Sequence, residues 1–323
     1  MSESFDQYGN GDLAFTRQSN YGTTIEAMYA GATSFMRRRY SRDLTDVDVA
    51  VVGVPYDLAT SNRPGARFGP RGVRAASTQL SWARPWPWSK DPFRTLNVVD
   101  YGDCVFDPGR PDRIVEEVMA WYQPILEAGV TPLSIGGDHF VTYPIIRALS
   151  EKHGPISLIH FDAHCDTWAD EDGRIDHGTM FYHAAKQGLV SPEDSVQIGM
   201  RTVNERNPGF NVFDAMWLHE NGVDAAVEQI RSIVGDRPAY LTFDIDFLDP
   251  SCAPGTGTPV CGGFDTLIAI KLLKGLKGLN LVGCDVVEVA PPYDHAEVTA
   301  LAGATVATNL VCLLASAKDP EFS

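Results

Sequence analysis

From residue 47 onward the chain alternates short apolar runs rich in β-branched residues with longer stretches in which apolar residues recur every three or four positions. The short runs occupy 47–54, 96–99, 131–135, 156–161, 195–198, 212–218, 239–243 and 281–287 and predict strands; 112–128, 141–152, 224–234, 265–276 and 297–317 predict helices. Strands that are apolar throughout, separated by helices, are the pattern of βαβ units and of a parallel sheet covered on both faces. Eight runs suit an eight-stranded barrel as well as an open three-layer sandwich. Either arrangement puts ligands at the carboxyl ends of the strands. Residues 1–45 have no sustained period and predict an N-terminal arm that packs on the domain or on a neighbouring subunit, with a single domain over 46–323.

Three clusters of metal-capable side chains trail three of the strand runs. His139 closes Gly136-Gly137-Asp138-His139; Asp162, His164 and Asp166 alternate after the fourth run; Asp244 and Asp246 alternate after the seventh. In an extended backbone, alternate side chains point the same way, so each cluster is expected to converge on one side. Four buried carboxylates and two imidazoles carry more negative charge than a protein interior holds unpaired, whereas two divalent cations would neutralise it. The donors are oxygens and nitrogens with no thiolate, which suits Mn2+ and would also accept Zn2+, Co2+ or Fe2+. A cation pair that activates a shared water points to hydrolysis. His177, in a polar loop ten residues further on, is a candidate proton shuttle. Glu288, at the end of the last strand run, can accept the two-pronged donor face of a guanidinium.

Composition narrows the partners. The chain has 26 basic and 42 acidic residues, a net charge of −16, which disfavours nucleic acid and anionic membranes and attracts small cations. The N-terminus has no apolar core of signal-peptide length and no later run reaches about 18 apolar residues, so a cytoplasmic protein is expected. Cys104, Cys165, Cys252, Cys261, Cys284 and Cys312 form no CxxC pair and are expected to be free thiols, with Cys165 facing away from its ligand neighbours. His153, His183, His219 and His295 lack ligand spacing and are assigned structural roles. His160 alternates with Asp162 and His164 and belongs beside the ligands. Trp82, Trp86 and Trp88 crowd a proline-punctuated loop and predict a subunit contact or a substrate-channel rim. Arg63, Arg67 and Arg71 match no phosphate loop and are assigned to a strand-to-helix connection near the site.

Taken together, Gly136-Gly137-Asp138-His139, Asp162-Ala163-His164-Cys165-Asp166, Asp244-Ile245-Asp246 and the following Ala253-Pro254-Gly255-Thr256-Gly257-Thr258-Pro259 resemble the signatures of the ureohydrolases, the arginase and agmatinase family. The resemblance covers about residues 46 to 316. It implies an α/β/α arginase-like fold with an eight-stranded parallel sheet, and it settles the open alternative in favour of the sandwich. It also implies two Mn2+ per subunit on His139, Asp162, His164, Asp166, Asp244 and Asp246, and a trimer or hexamer of identical chains. Within the family the chain is most similar to bacterial agmatinases. Where arginases hold the α-amino and α-carboxylate groups of arginine, this chain has Trp168, Ala169, Asp170, Glu171 and Asp172. An acidic mouth repels a carboxylate and welcomes the ammonium of agmatine, a small cationic guanidino substrate. The implied chemistry is attack of a metal-bridging hydroxide on a guanidinium anchored by Glu288, with stabilisation by Asp166 and proton delivery by His177, giving urea and putrescine. Guanidinobutyrase, guanidinopropionase and proclavaminate amidinohydrolase activities are the alternatives; their substrates carry a carboxylate, for which Arg174 is the one cation near the mouth.

Overall fold

The computed structural model describes residues 29–169 and 173–322. Eight strands appear: β1 (Val49–Val54), β2 (Val98–Asp103), β3 (Thr131–Gly136), β4 (Ser157–Phe161), β5 (Val196–Met200), β6 (Asn211–Asp214), β7 (Ala239–Asp244) and β8 (Leu281–Val287). They form one sheet in the order β2-β1-β3-β8-β7-β4-β5-β6, and every neighbouring pair is parallel. The α/β arginase-like sandwich is therefore the fold, and the barrel is excluded. The helices are α1 (Gly69–Ser77), α2 (Ile114–Glu127), α3 (Thr142–His153), α4 (Met180–Lys186), α5 (Ala215–Val234), α6 (Thr266–Gly275) and α7 (Val298–Lys318).

Alternation along the strands divides the core in two. Val49, Val51, Leu133, Ile135, Phe161, Leu241 and Phe243 face α1, α5, α6 and α7; Ala50, Val52, Val54, Leu158 and Tyr240 face α2, α3 and α4. Helix α7 is apolar around its circumference because it is enclosed. It is the one described helix long and apolar enough to cross a membrane, and it lies in the core between α1, α6 and the sheet.

Three local expectations are corrected. The predicted strand 212–218 ends at Asp214, whose carboxylate accepts from the Trp217 backbone N–H at 2.8 Å and caps α5. Helix α5 thus starts nine residues before the predicted 224, continuing through a bend at Gly222. Trp88 is no surface anchor: it is buried, its indole N–H donates to Asn309 Oδ1 at 2.7 Å, and its ring packs on Phe322. Trp82 and Trp86 are exposed. Helices α1 and α4 escaped the periodicity reading, because α1 opens on Gly69-Pro70 and α4 is only seven residues long. Residues 1–28 of the expected arm lie outside the described residues; further along it, Phe35 and Met36 are buried in the core. All six cysteines are free.

Arg74 of α1 is buried against β2, with its guanidinium on both oxygens of Asp100 at 2.8 and 3.0 Å and on Asp103. Truncating one member of a buried pair leaves the other charge unpaired. Arg74→Ala is expected to lower stability by about 3–5 kcal/mol, seen as a fall in the urea midpoint; a midpoint unchanged from wild type would show that Asp100 is satisfied without it.

Candidate metal centre

Four neighbouring strands, β3, β8, β7 and β4, end together at the middle of the sheet; Asp244 is the last residue of β7, and His139, Asp162 and Glu288 lie within three residues of the ends of β3, β4 and β8. Close backbone approach makes the arrangement possible. At Gly137 a Cβ would fall 1.7 Å from Tyr56 O, so only glycine fits. Asp138 N–H donates to Tyr56 O and Glu288 N–H donates to Gly137 O, each at 2.8 Å, which ties the ends of β1, β3 and β8 into one unit. Asp166 (φ 52°) and Glu288 (φ 61°) both hold left-handed backbone, a strained conformation that clusters at functional sites.

The expected alternation on extended backbone is not what aims the acidic groups. Strand β4 stops at Phe161, and 162–164 form a bend; Asp246 lies on a short 3-10 turn, Ile245–Phe247. The carboxylates organise their own loops instead. Asp162 Oδ1 accepts from His164 N–H at 2.5 Å, Asp244 Oδ1 from Asp246 N–H at 2.8 Å, and Asp246 Oδ1 from Ala163 N–H at 3.0 Å. The Oδ2 atoms of Asp162, Asp166, Asp244 and Asp246, together with Asp162 Oδ1, face two lobes that share Asp162.

In the first lobe His139 Nδ1 stands 3.0 Å from Asp162 Oδ2, 3.0 Å from Asp166 Oδ2 and 3.2 Å from Asp244 Oδ2. In the second, His164 Nδ1 lies 3.0 Å from Asp246 Oδ2 and 3.3 Å from Asp162 Oδ1. The tautomer of His139 follows from its outer contacts. Thr242 Oγ1 donates to Asp285 Oδ1 at 2.6 Å and so accepts from His139 Nε2–H at 2.8 Å. Nδ1 is left with a lone pair, and it has no hydrogen-bond partner. In the neutral ring that lone pair faces the same point as three carboxylate oxygens. An ion about 2.1 Å from its donors holds neighbouring donors about 3.0 Å apart, which matches these separations.

Electrostatics agrees with that fit. Burial, then repulsion from Asp246 and Asp162, raises Asp244 well above the ordinary carboxylate range. Burial acts to lower the His164 pKa, yet Asp246 and Asp162 push it up to about 12. The cluster holds an excess of negative charge that divalent cations would relieve. His160 serves a different purpose. Gln197 Nε2, anchored on Cys165 O at 2.6 Å, donates to His160 Nδ1 at 3.0 Å, so His160 Nε2–H donates to Asp162 Oδ2 at 2.7 Å. His160 steadies Asp162 with a proton where a ligand needs a lone pair. Cys165 is buried, its Sγ beside Asn204 Nδ2.

His177, expected in an open polar loop, is 8% exposed and clamped between Glu288 Oε1 (2.9 Å from Nδ1) and Ser61. Burial draws its pKa down, but the Glu288 hydrogen bond and charge, with Asp166 and Asp138, push it up to about 9. Glu288 Oε1 also accepts from His139 N–H at 2.9 Å, while its buried Oε2 has no partner among the described residues. A cavity of about 480 Å3 opens over the cluster, lined by His164, Asp166, Trp168, His177, Asp244 and Ser61 among others. Arg174 reaches its wall, paired with Asp176 Oδ2 at 3.1 Å. Asp170, Glu171 and Asp172 of the expected acidic mouth lie outside the described residues. Trp82, Trp86 and Trp88 do not line the cavity.

Sequence reasoning missed Ser61, Asp138, Gln197, Thr242 and Asp285. Three of them carried a readable signal: Gln197 and Asp285 are single polar residues inside otherwise apolar strands, and Thr242 interrupts the apolar run that ends at Asp244.

A family model for the arginase family matches residues 47–312. The chain is 54% identical over 315 residues to an agmatinase of Chromobacterium violaceum, covering 97% of this chain and 98% of that one. A crystal structure described as a hypothetical agmatinase from Burkholderia thailandensis superposes with a TM-score of 0.92 at 56% identity, covering 94% and 98% of the two chains. The structure of proclavaminate amidino hydrolase from Streptomyces clavuligerus superposes with a TM-score of 0.85 at 37% identity, covering 90% and 100%.

Removing the acceptor behind His139 frees the ring to turn and to change tautomer. Thr242→Val is expected to weaken Mn2+ binding by roughly 10–100-fold, measured by equilibrium dialysis. Undiminished affinity would show that Thr242 does not set the orientation of the donor.

Proposed function

Since the chain belongs to the arginase family, we propose that it hydrolyses the guanidinium group of agmatine to urea and putrescine at a paired manganese centre. The observation that carries this reading is Glu288. One of its oxygens is engaged by His139 N–H and His177, and the other is buried, unpartnered and next to a cluster built for cations. A planar cation offering N–H donors satisfies such an oxygen.

His139, Asp166, Asp244 and one oxygen of Asp162 would hold one manganese ion; His164, Asp246 and the other oxygen of Asp162 would hold the second. Bound there, the pair supplies a water of lowered pKa and a positive field for developing charge. The chain's own groups do the rest. Glu288 holds the guanidinium in a fixed plane, because its carboxylate is already oriented by two donors. Asp166, at the cavity wall, accepts hydrogen bonds from the substrate nitrogens as the attacked carbon becomes tetrahedral. His177 supplies the proton that the departing amine needs, and carboxylates on several sides keep its charged form within reach at neutral pH.

The tail of the substrate points toward Trp168, whose ring rests on Gly178 and is 37% exposed at the cavity. An indole there can flank an alkyl chain or face a terminal ammonium. A second reading, hydrolysis of a guanidino acid, draws on Arg174 at the cavity wall and on the likeness to proclavaminate amidino hydrolase. The ion pair with Asp176 offsets the charge such a substrate would seek, which favours agmatine.

Urea release by the Mn2+-loaded protein is expected to show kcat/KM for agmatine at least tenfold above arginine, 4-guanidinobutyrate and 3-guanidinopropionate. Preference for a carboxylate-bearing substrate would replace the agmatine reading with the second one. His177→Asn is expected to lower kcat by roughly 10²–10⁴-fold with both metal ions retained by elemental analysis; turnover equal to wild type would remove His177 from proton delivery.

A further inference from the structure

The imidazole of His177 has partners of different kinds on its two nitrogens. Nδ1 lies 2.9 Å from Glu288 Oε1. Nε2 lies 2.9 Å from the backbone nitrogen of Ser61 and 2.8 Å from Ser61 Oγ. A backbone N–H can only donate, so in the neutral ring Nε2 carries the lone pair and Nδ1–H donates to Glu288. The second proton of a charged His177 must therefore sit on Nε2, where it meets the Ser61 N–H head on. Among the described residues, only one group at that nitrogen can reverse its part in the hydrogen bond, and that is the Ser61 hydroxyl. It donates to Nε2 when the ring is neutral and accepts from Nε2–H when the ring is charged, which turns its own proton outward.

Outward is the cavity. Ser61 lines it together with His164, Asp166 and Trp168. Neighbouring side chains keep the hydroxyl in place. Asp138 Oδ2 accepts from Ala59 N–H at 2.8 Å, Asn62 Nδ2 donates to Gly257 O at 3.0 Å, and Arg63 donates to Thr256 O at 2.6 Å. The charged groups that act on the ring are Glu288 beyond the end of β8, Asp166 in the loop after β4 and Asp138 after β3, with the Asp176–Arg174 pair on its own loop.

We propose that Ser61 is the relay through which His177 delivers its proton to the amine leaving the guanidinium carbon. The Nε2–H bond breaks as a new Oγ–H bond forms, and the former hydroxyl proton passes to the amine nitrogen as its C–N bond to the guanidinium carbon breaks. Imidazolium becomes imidazole, serine is regenerated and no other reactant is consumed. This rests on the proposed hydrolysis, and the tests separate the two.

In selectively 15N-histidine-labelled, metal-free protein titrated to a pH above the His177 pKa of about 9, the neutral ring should show a protonated Nδ1 and a bare Nε2, whatever reaction the protein catalyses. A protonated Nε2 with a bare Nδ1 in the neutral ring would overturn the assignment. With wild type first shown to release urea from agmatine, Ser61→Ala is expected to lower kcat at least tenfold with KM within about twofold. It should also move the basic limb of the kcat profile to lower pH, because the charged ring then faces an N–H donor with no acceptor. Ser61→Thr should restore both. If Ser61→Ala keeps wild-type kcat and an unshifted basic limb while wild type is active, the relay is wrong and the hydrolase reading stands. If wild type releases no urea, the hydrolase reading itself fails.

Discussion

Four carboxylates buried around two imidazoles cannot be stable by themselves, and the architecture of this protein is organised around that conflict. The inward oxygens stand about 3 Å from the His139 and His164 rings, and Asp162, Asp244 and Asp246 each accept a loop N–H with one oxygen, Asp162 being steadied by His160 as well. The N–H groups of the loops after β4 and β7 are spent on these outer oxygens. Behind His139, the Thr242 and Asp285 pair fixes which nitrogen keeps its lone pair. Strained backbone at Asp166 and Glu288 is held in the same cause, since relaxing either φ would swing a carboxylate out of the cluster.

The central sheet was legible because buried parallel strands need continuous apolar runs, and a run marks each of the eight strands, although the one at 96–99 overlaps β2 only at 98–99. The run at 212–218 misled because Val, Phe, Met, Trp and Leu serve a strand and a capped helix equally well; only the Asp214 cap distinguishes them. The six cluster residues come together as expected, but for another reason. Alternation assumed extended backbone, and what the chain contains is a bend and a turn whose geometry the carboxylates themselves impose. A one-dimensional pattern cannot reveal a loop held by its own side chains. Ser61 and Asp138 were invisible for a similar reason, since each acts through contacts more than seventy residues away.

His177 shows how burial changes the character of a residue. As a loop histidine in water it would titrate near its ordinary value. Pressed between Glu288 and the Ser61 backbone, it is a ring with one defined tautomer. Ser61, in the loop after β1, contributes nothing to the acidic cluster yet fixes the tautomer of the ring that faces it.

The order of the strands has a consequence for the birth of the protein. β8 is the last strand in the chain, yet it lies between β3 and β7 and is the sole bridge between the β2-β1-β3 half of the sheet and the β7-β4-β5-β6 half. His139 belongs to the first half, and Asp162, Asp166 and Asp244 to the second. During synthesis the two halves can each collapse, but they have no shared edge until residues 281–287 have left the ribosome. The lobe that contains His139 therefore cannot close until nearly the whole chain exists, whereas Asp162, His164 and Asp246 of the other lobe follow β4 and β7, which pair directly with each other.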